Sequence, residues 1–295
     1  MRYLELMTAV LVACGPAEDE DQAPRPGDID RAAPEVDETG SQVTLLSYDF
    51  TTADARFELP GRLDEISGLA FTADGRLLGH DDERGRVYEI DPGRGDVGKQ
   101  FDLGSGNVQD DFEGIAAIGE RLFLVSSTGF LYEFREGADE VDVPYRVTDT
   151  GLGSSCEVEG LDFDPDSEAL LLACKRADGD GQSLRLYALP VGGGAATSID
   201  VARSELAASG LDPDFQPSAV AVTLDGTWIL LSAVTESIVE IDSSGRVLAG
   251  VALGRQNHPQ PEGLAIGADG TLYIANERNG DDPHITVYRR QGDGA

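Results

Sequence analysis

Positive charge is scarce in this sequence. Against 55 acidic residues stand 22 basic ones, of which only Lys99 and Lys175 are lysines, and the formal net charge is −33. Such a surface repels phosphate backbones and anionic lipid, which argues against nucleic-acid binding and makes small cations the natural partners. Solubility alone is an equally good reason for the excess. Histidine is rarer still: His80, His258 and His284 fall in loops of different repeats, without zinc-ligand spacing and without a supported Ser-His-Asp set. Long apolar runs are missing too. The stretch from Leu6 to Ala13 is far too short to cross a bilayer as a helix. What the chain does have is 36 glycines and 14 prolines spread along its length, with 40% apolar residues. That combination favours many turns and short strands over long helices.

The apolar stretch follows Arg2 and ends at Cys14-Gly15. It resembles a bacterial lipoprotein leader, with Leu11-Val12-Ala13-Cys14 as the lipobox and Cys14 as the lipidated residue; a conventional secretory signal is the alternative. Residues 1–14 are therefore expected to be an address. Residues 15–42 are rich in Asp, Glu, Pro and Ala and nearly free of large apolar side chains, as in a disordered acidic tether. The expected place of the protein is the cell envelope, outer membrane or periplasm, with the membrane touched only through the lipid; otherwise it is secreted. The other cysteines, Cys156 and Cys174, flank one strand pair. A disulfide and two buried free thiols both fit them.

From residue 43 to 295 the chain repeats itself. Five related segments begin at Ile66, Phe112, Val158, Pro217 and Pro261, each an apolar strand, a turn and a second strand. Three turns are Asp-Gly pairs, at Asp74, Asp225 and Asp269, residues suited to the positive φ of a tight hairpin. Gly68, Gly114, Gly160, Ala219 and Gly263 mark equivalent positions, 46, 46, 59 and 44 residues apart. One propeller blade per repeat is the reading. The long interval holds Ser204 to Phe215, a short inserted helix. A third strand follows each hairpin, and a fourth follows in every repeat but the last. Residues 43–60 supply the missing strand and close the ring, which hides an open sheet edge. The fold class is an all-β, five-bladed propeller, with six blades as the alternative if the insertion conceals extra strands.

Several short motifs keep the order and spacing of a known family. Glu65-Ile66-Ser67-Gly68-Leu69, Glu113-Gly114-Ile115, Cys156 before Glu159-Gly160-Leu161, and Glu262-Gly263-Leu264-Ala265 together resemble the SdiA-regulated, YjiK-like family of bacterial envelope proteins. The resemblance implies a five-bladed propeller and a calcium site, and no established reaction.

In a propeller the first strand of each blade lines a central channel. Glu113, Glu159 and Glu262 start that strand in three blades, where converging carboxylates must protonate, pair with arginine or share a cation. Calcium takes six to eight oxygens and suits such a ring; a hydrated lining without metal is the competing reading. Ser67 and Ser218 occupy the position in the other blades. Asp82 is the next candidate ligand, and Asp81 and Glu277 are weaker ones. The Ala177–Gly181 and Asn279–Asp282 stretches read as turns, and Gly192-Gly193-Gly194 as a flexible one. No catalytic residue is assigned. The expected function is a monomeric binding or scaffold module that meets a protein or small ligand on its loop face. The alternative is a calcium-dependent hydrolase of lactones or esters.

Overall fold

Five sheets, antiparallel but for one short parallel pair, make up the computed structural model, which describes residues 44–105 and 108–291. The leader with Cys14, and the tether through residue 42, lie outside the described residues. In chain order the strands are β1 (Ala55–Glu58), then blade 1 with β2 (Ile66–Phe71), β3 (Leu77–Asp81), β4 (Arg86–Ile90) and β5 (Val97–Leu103). Blade 2 has β6 (Phe112–Ile118), β7 (Arg121–Ser126) and β8 (Phe130–Arg135); β9 (Asp142–Val143) pairs in parallel with β5, and β10 (Tyr145–Asp149) completes blade 2. Blade 3 is β11 (Cys156–Asp164), β12 (Ala169–Ala177), β13 (Ser183–Pro190) and β14 (Thr197–Ala202). After helix α1 (Arg203–Ala208) comes blade 4, with β15 (Ala219–Val222), β16 (Trp228–Ser232), β17 (Ser237–Ile241) and β18 (Val247–Ala252). Blade 5 has β19 (Pro261–Ile266), β20 (Leu272–Asn276) and β21 (His284–Tyr288). The insertion before Pro217 holds α1 and no strand, so the blades number five.

Closure runs through β1, which pairs antiparallel with β21 from Ala55 opposite Val287 to Glu58 opposite His284. The residues just before it reinforce the seam. Leu45, Tyr48 and Phe50 are buried between blades 4 and 5, against Ile238, Leu264 and Tyr288 among others. The carboxylate of Glu240 on β17 accepts the backbone N–H of Thr44 at 3.1 Å and of Leu45 at 2.6 Å. A buried carboxylate thus holds the incoming chain by two of its amides.

Period-two alternation explains the core. On β16, Trp228 and Leu230 pack toward blade 3 while Ile229 and Leu231 pack toward blade 5. A strand between two blades is buried on both faces, and β3, β16 and β17 accordingly show no exposed residue. Each of the five blade interfaces has its own apolar cluster. Each buried Leu, Ile or Phe contributes roughly 1.5–3 kcal/mol.

At the axis the first strands meet in the order β2, β6, β11, β15, β19 and back to β2. Five blades leave little room there. A Cβ on Gly114 would lie 2.7 Å from the Leu161 nitrogen, and one on Gly160 would lie 2.9 Å from the Val220 nitrogen. The marker glycines are therefore a steric requirement of a narrow ring. The Asp-Gly turns differ from expectation: Gly75, Gly226 and Gly270 have positive φ, but their aspartates do not. In each case a backbone bond closes a four-residue turn onto the glycine, as from Gly75 N–H to Thr72 O at 2.9 Å, and the glycine alone takes the left-handed step. Cys156 and Cys174 are joined by a disulfide across the β11–β12 pair.

Candidate functional site

The channel residues owe their aim to an irregularity in the first strands. Pairing shifts register between Ile66 and Gly68, between Phe112 and Gly114, between Val158 and Leu161, and between Pro261 and Gly263. Ser67, Glu113, Glu159 and Glu262 lie at these bulges, which turn a side chain out of the ladder toward the axis. In blade 4, Ser218 stands just before β15 and donates its hydroxyl to the Pro261 carbonyl at 2.7 Å. Ser67 donates to Glu113 Oε2 at 3.2 Å, and Gln260 donates to Glu262 Oε1 at 2.6 Å.

One cation stands among these acids. Lys175, on β12, donates from Nζ to Glu159 Oε1 at 2.9 Å. Burial pushes Glu159 up, and Lys175 opposes the shift. Burial, followed by the charge of Glu159, pushes Glu113 up to about 9 and Glu262 up to about 7.

The tightest grouping is elsewhere on the same mouth. Glu65 precedes β2, Asp82 follows β3 and Glu277 follows β20, and one carboxylate oxygen from each falls within 4.8 Å of the other two. Backbone bonds fix this meeting: Asp82 N–H donates to Glu65 O at 3.2 Å, and Arg278 N–H to Asp64 O at 2.8 Å. Asp82 Oδ1 is buried without a hydrogen-bond partner. Burial, and then Glu65, pushes Asp82 up to about 6. Glu277 is pushed up to about 9 by burial and by the hydrogen bond it shares with Glu65.

The four acids read from sequence as a calcium set are thus divided. Asp82 belongs to the compact trio with Glu277 and Glu65. Glu113, Glu159 and Glu262 sit around the channel within one another's fields, and Lys175, bonded to Glu159, lies within the field of all three. Asp81 turns away, accepting from Tyr88 Oη at 3.1 Å and from the Arg84 amide at 3.0 Å. The histidines are buried rather than placed in loops throughout: His80 is on β3 and His284 on β21, while His258 bonds Tyr288 Oη at 2.7 Å. Burial holds His80 and His258 down at about 4. Sequence reasoning missed Glu65 and Lys175. Glu65 was in plain view in its motif one residue before β2, and Lys175 is one of two lysines in the chain.

No curated protein matches this sequence. A family model described as SdiA-regulated matches residues 41–280. Among solved structures, the glutaminyl cyclase of Myxococcus xanthus aligns with a TM-score of 0.57 at 16% identity, over 81% of this chain and 96% of that one. A luciferin-regenerating enzyme aligns with a TM-score of 0.52 at 11% identity, over 81% and 96%. The PQQ-bound aldose sugar dehydrogenase of Streptomyces coelicolor gives 0.52 at 14%, over 81% and 97%. At these identities the likeness is one of fold alone.

Proposed function

Because the chain belongs to the SdiA-regulated family, we propose that it is an envelope-displayed recognition module whose channel mouth is organised by a calcium ion. The observation that carries the reading is the Glu65–Asp82–Glu277 trio, in which Asp82 Oδ1 is buried and unpartnered. Calcium is a hard cation that prefers carboxylate oxygens and accepts water and carbonyls for the rest of its shell, so the donor set fits it. Without it, protons on Glu277 and its neighbours relieve the same repulsion. The ion would offset two of the three acidic charges and tie the segment that carries Glu65, which joins blades 5 and 1, to the loops within blades 1 and 5 that carry Asp82 and Glu277. Recognition would then fall to the loop-rich face around the mouth. Display at the envelope rests on the leader of residues 1–14 with its Leu11–Cys14 lipobox.

Calorimetric titration of calcium into the chelator-treated full chain tests this. One equivalent should bind, and Asp82→Asn and Glu277→Gln should each weaken binding at least about tenfold, a loss of about 1.4 kcal/mol. No binding by the unaltered protein overturns the reading. A calcium-dependent hydrolase is the second reading, favoured by Glu262, whose carboxyl near 7 suits proton transfer at neutral pH. A panel of lactones and aryl esters without calcium-dependent turnover removes it.

A further inference from the structure

We infer that Lys175 is a built-in counter-ion: its ammonium occupies the Glu159 side of the channel and thereby limits the mouth to one divalent cation. The inference builds on the calcium reading of the Glu65–Asp82–Glu277 trio.

Glu159 is the most enclosed of the channel acids, its side chain 5% exposed, and a carboxylate so buried needs a proton or a cation beside it. The structure places that cation there, with Lys175 Nζ at 2.9 Å. Strand pairing explains how. Arg176 pairs with Glu157 and Cys174 with Val158, so the register steps across Lys175, and the disulfide at Cys174 holds the step in place. The ammonium also stands in the fields of Glu113 and Glu262, and therefore serves all three channel acids at once. The chain's other lysine, Lys99, pairs with Glu89 and Glu136 on the outer strands of blade 1 and its neighbouring loop.

A cavity of about 100 Å3 adjoins Lys175, lined also by Gln216, Ser218, Gln260 and Glu262. It is roughly the space of three waters. With the lysine head removed, an ion with part of its hydration would have room beside Glu262, which lines the cavity, and beside Glu159, which Lys175 now bonds. Lys175 therefore divides the six acids of the mouth into Glu113, Glu159 and Glu262, which it answers from within, and Glu65, Asp82 and Glu277, which are open to a cation from solution.

The test is calcium stoichiometry by equilibrium dialysis and calorimetry on the full chain, comparing the unaltered protein with Lys175→Met, Lys175→Arg and Lys175→Met/Glu159→Gln. One equivalent should become two in Lys175→Met, stay at one in Lys175→Arg, and return to one in the double variant. If the methionine variant does not fold, Lys175→Gln, whose amide can still donate to Glu159, replaces it with the same expectation. One equivalent in both the unaltered protein and Lys175→Met overturns the inference and leaves the trio site standing, since protons would then have replaced the ammonium. No binding by the unaltered protein overturns the trio site; in that case one equivalent gained by Lys175→Met still supports the counter-ion, and none overturns it.

Discussion

Raising the pH from 7 to 9 in the presence of chelator should destabilise this protein, and the channel mouth should be the cause. Glu113 and Glu277 are held up to about 9 in the folded state, against 4.5 for an ordinary glutamate. Above pH 7 the unfolded chain has released both protons and the native state has not. The native state binds more protons, so stability falls as pH rises, by up to ~1.4 kcal/mol per pH unit for each group. Two groups over two units set an upper limit of roughly 5 kcal/mol, and a discount of about half for partial hydration leaves about 2–3 kcal/mol. These two acids dominate the window, with Glu262, at about 7, adding a smaller loss at its lower end. His80 and His258, at about 4, are neutral in both states above pH 7, and the tyrosines raised to about 12 titrate beyond it. Urea unfolding at pH 7, 8 and 9 gives the slope. Glu277→Gln, which imitates the neutral acid, should halve it, and saturating calcium, which takes the place of the Glu277 proton and leaves that of Glu113, should do the same. Stability that is level or rising from pH 7 to 9 in chelator would refute the reasoning.

Glu240→Gln should cost about 2–3 kcal/mol, because the amide keeps one acceptor for Thr44 and Leu45 and sets a donor against the other N–H. Thermal unfolding measures the loss, and faster proteolysis before β1 shows that the clasp has opened; unchanged values mean the clasp contributes nothing. Reduction of the Cys156–Cys174 bridge, whose partners are 18 residues apart, should cost about 3 kcal/mol. Scanning calorimetry with and without reductant checks this, and an unmoved transition contradicts it. Gly160→Ala should cost about 1–3 kcal/mol by crowding the axis, whereas Gly98→Ala, with nothing within 4 Å of its added Cβ, should be nearly neutral. Equal effects of the two would mean the axis is not tightly packed.

The blades were legible because their physics is local and repeated. An apolar strand, a turn and a second apolar strand recur every 44–46 residues, lengthened once by the α1 insertion, and a strand wedged between two interfaces must be apolar on both faces, as Trp228–Leu231 is. Closure was legible through a deficit, a fourth strand missing at one end and surplus at the other. The clasp by Glu240 was not. A lone glutamate in a third strand carries no mark that it will meet the amides of Thr44 and Leu45 nearly two hundred residues earlier. The turns misled in a smaller way, since Asp-Gly serves both a two-residue hairpin and a longer turn in which only the glycine needs positive φ.

The site shows where such reading stops. Repetition marks Glu113, Glu159 and Glu262 because they hold equivalent places, and the bulges at those places do turn them toward the axis. Equivalence under the ring's symmetry also keeps them apart, since each belongs to a different blade. The compact trio arises where the symmetry is broken. Glu65 comes from a segment before a first strand, while Asp82 and Glu277 both follow second strands, in neighbouring blades, and the three meet at the junction beside the closing seam. No repeat alignment ranks Glu65 above its counterparts. Lys175 breaks the symmetry in the same way, a single ammonium in one blade answering acids contributed by three. The fold is thus the part of this protein written five times, and its specific chemistry depends on residues written once.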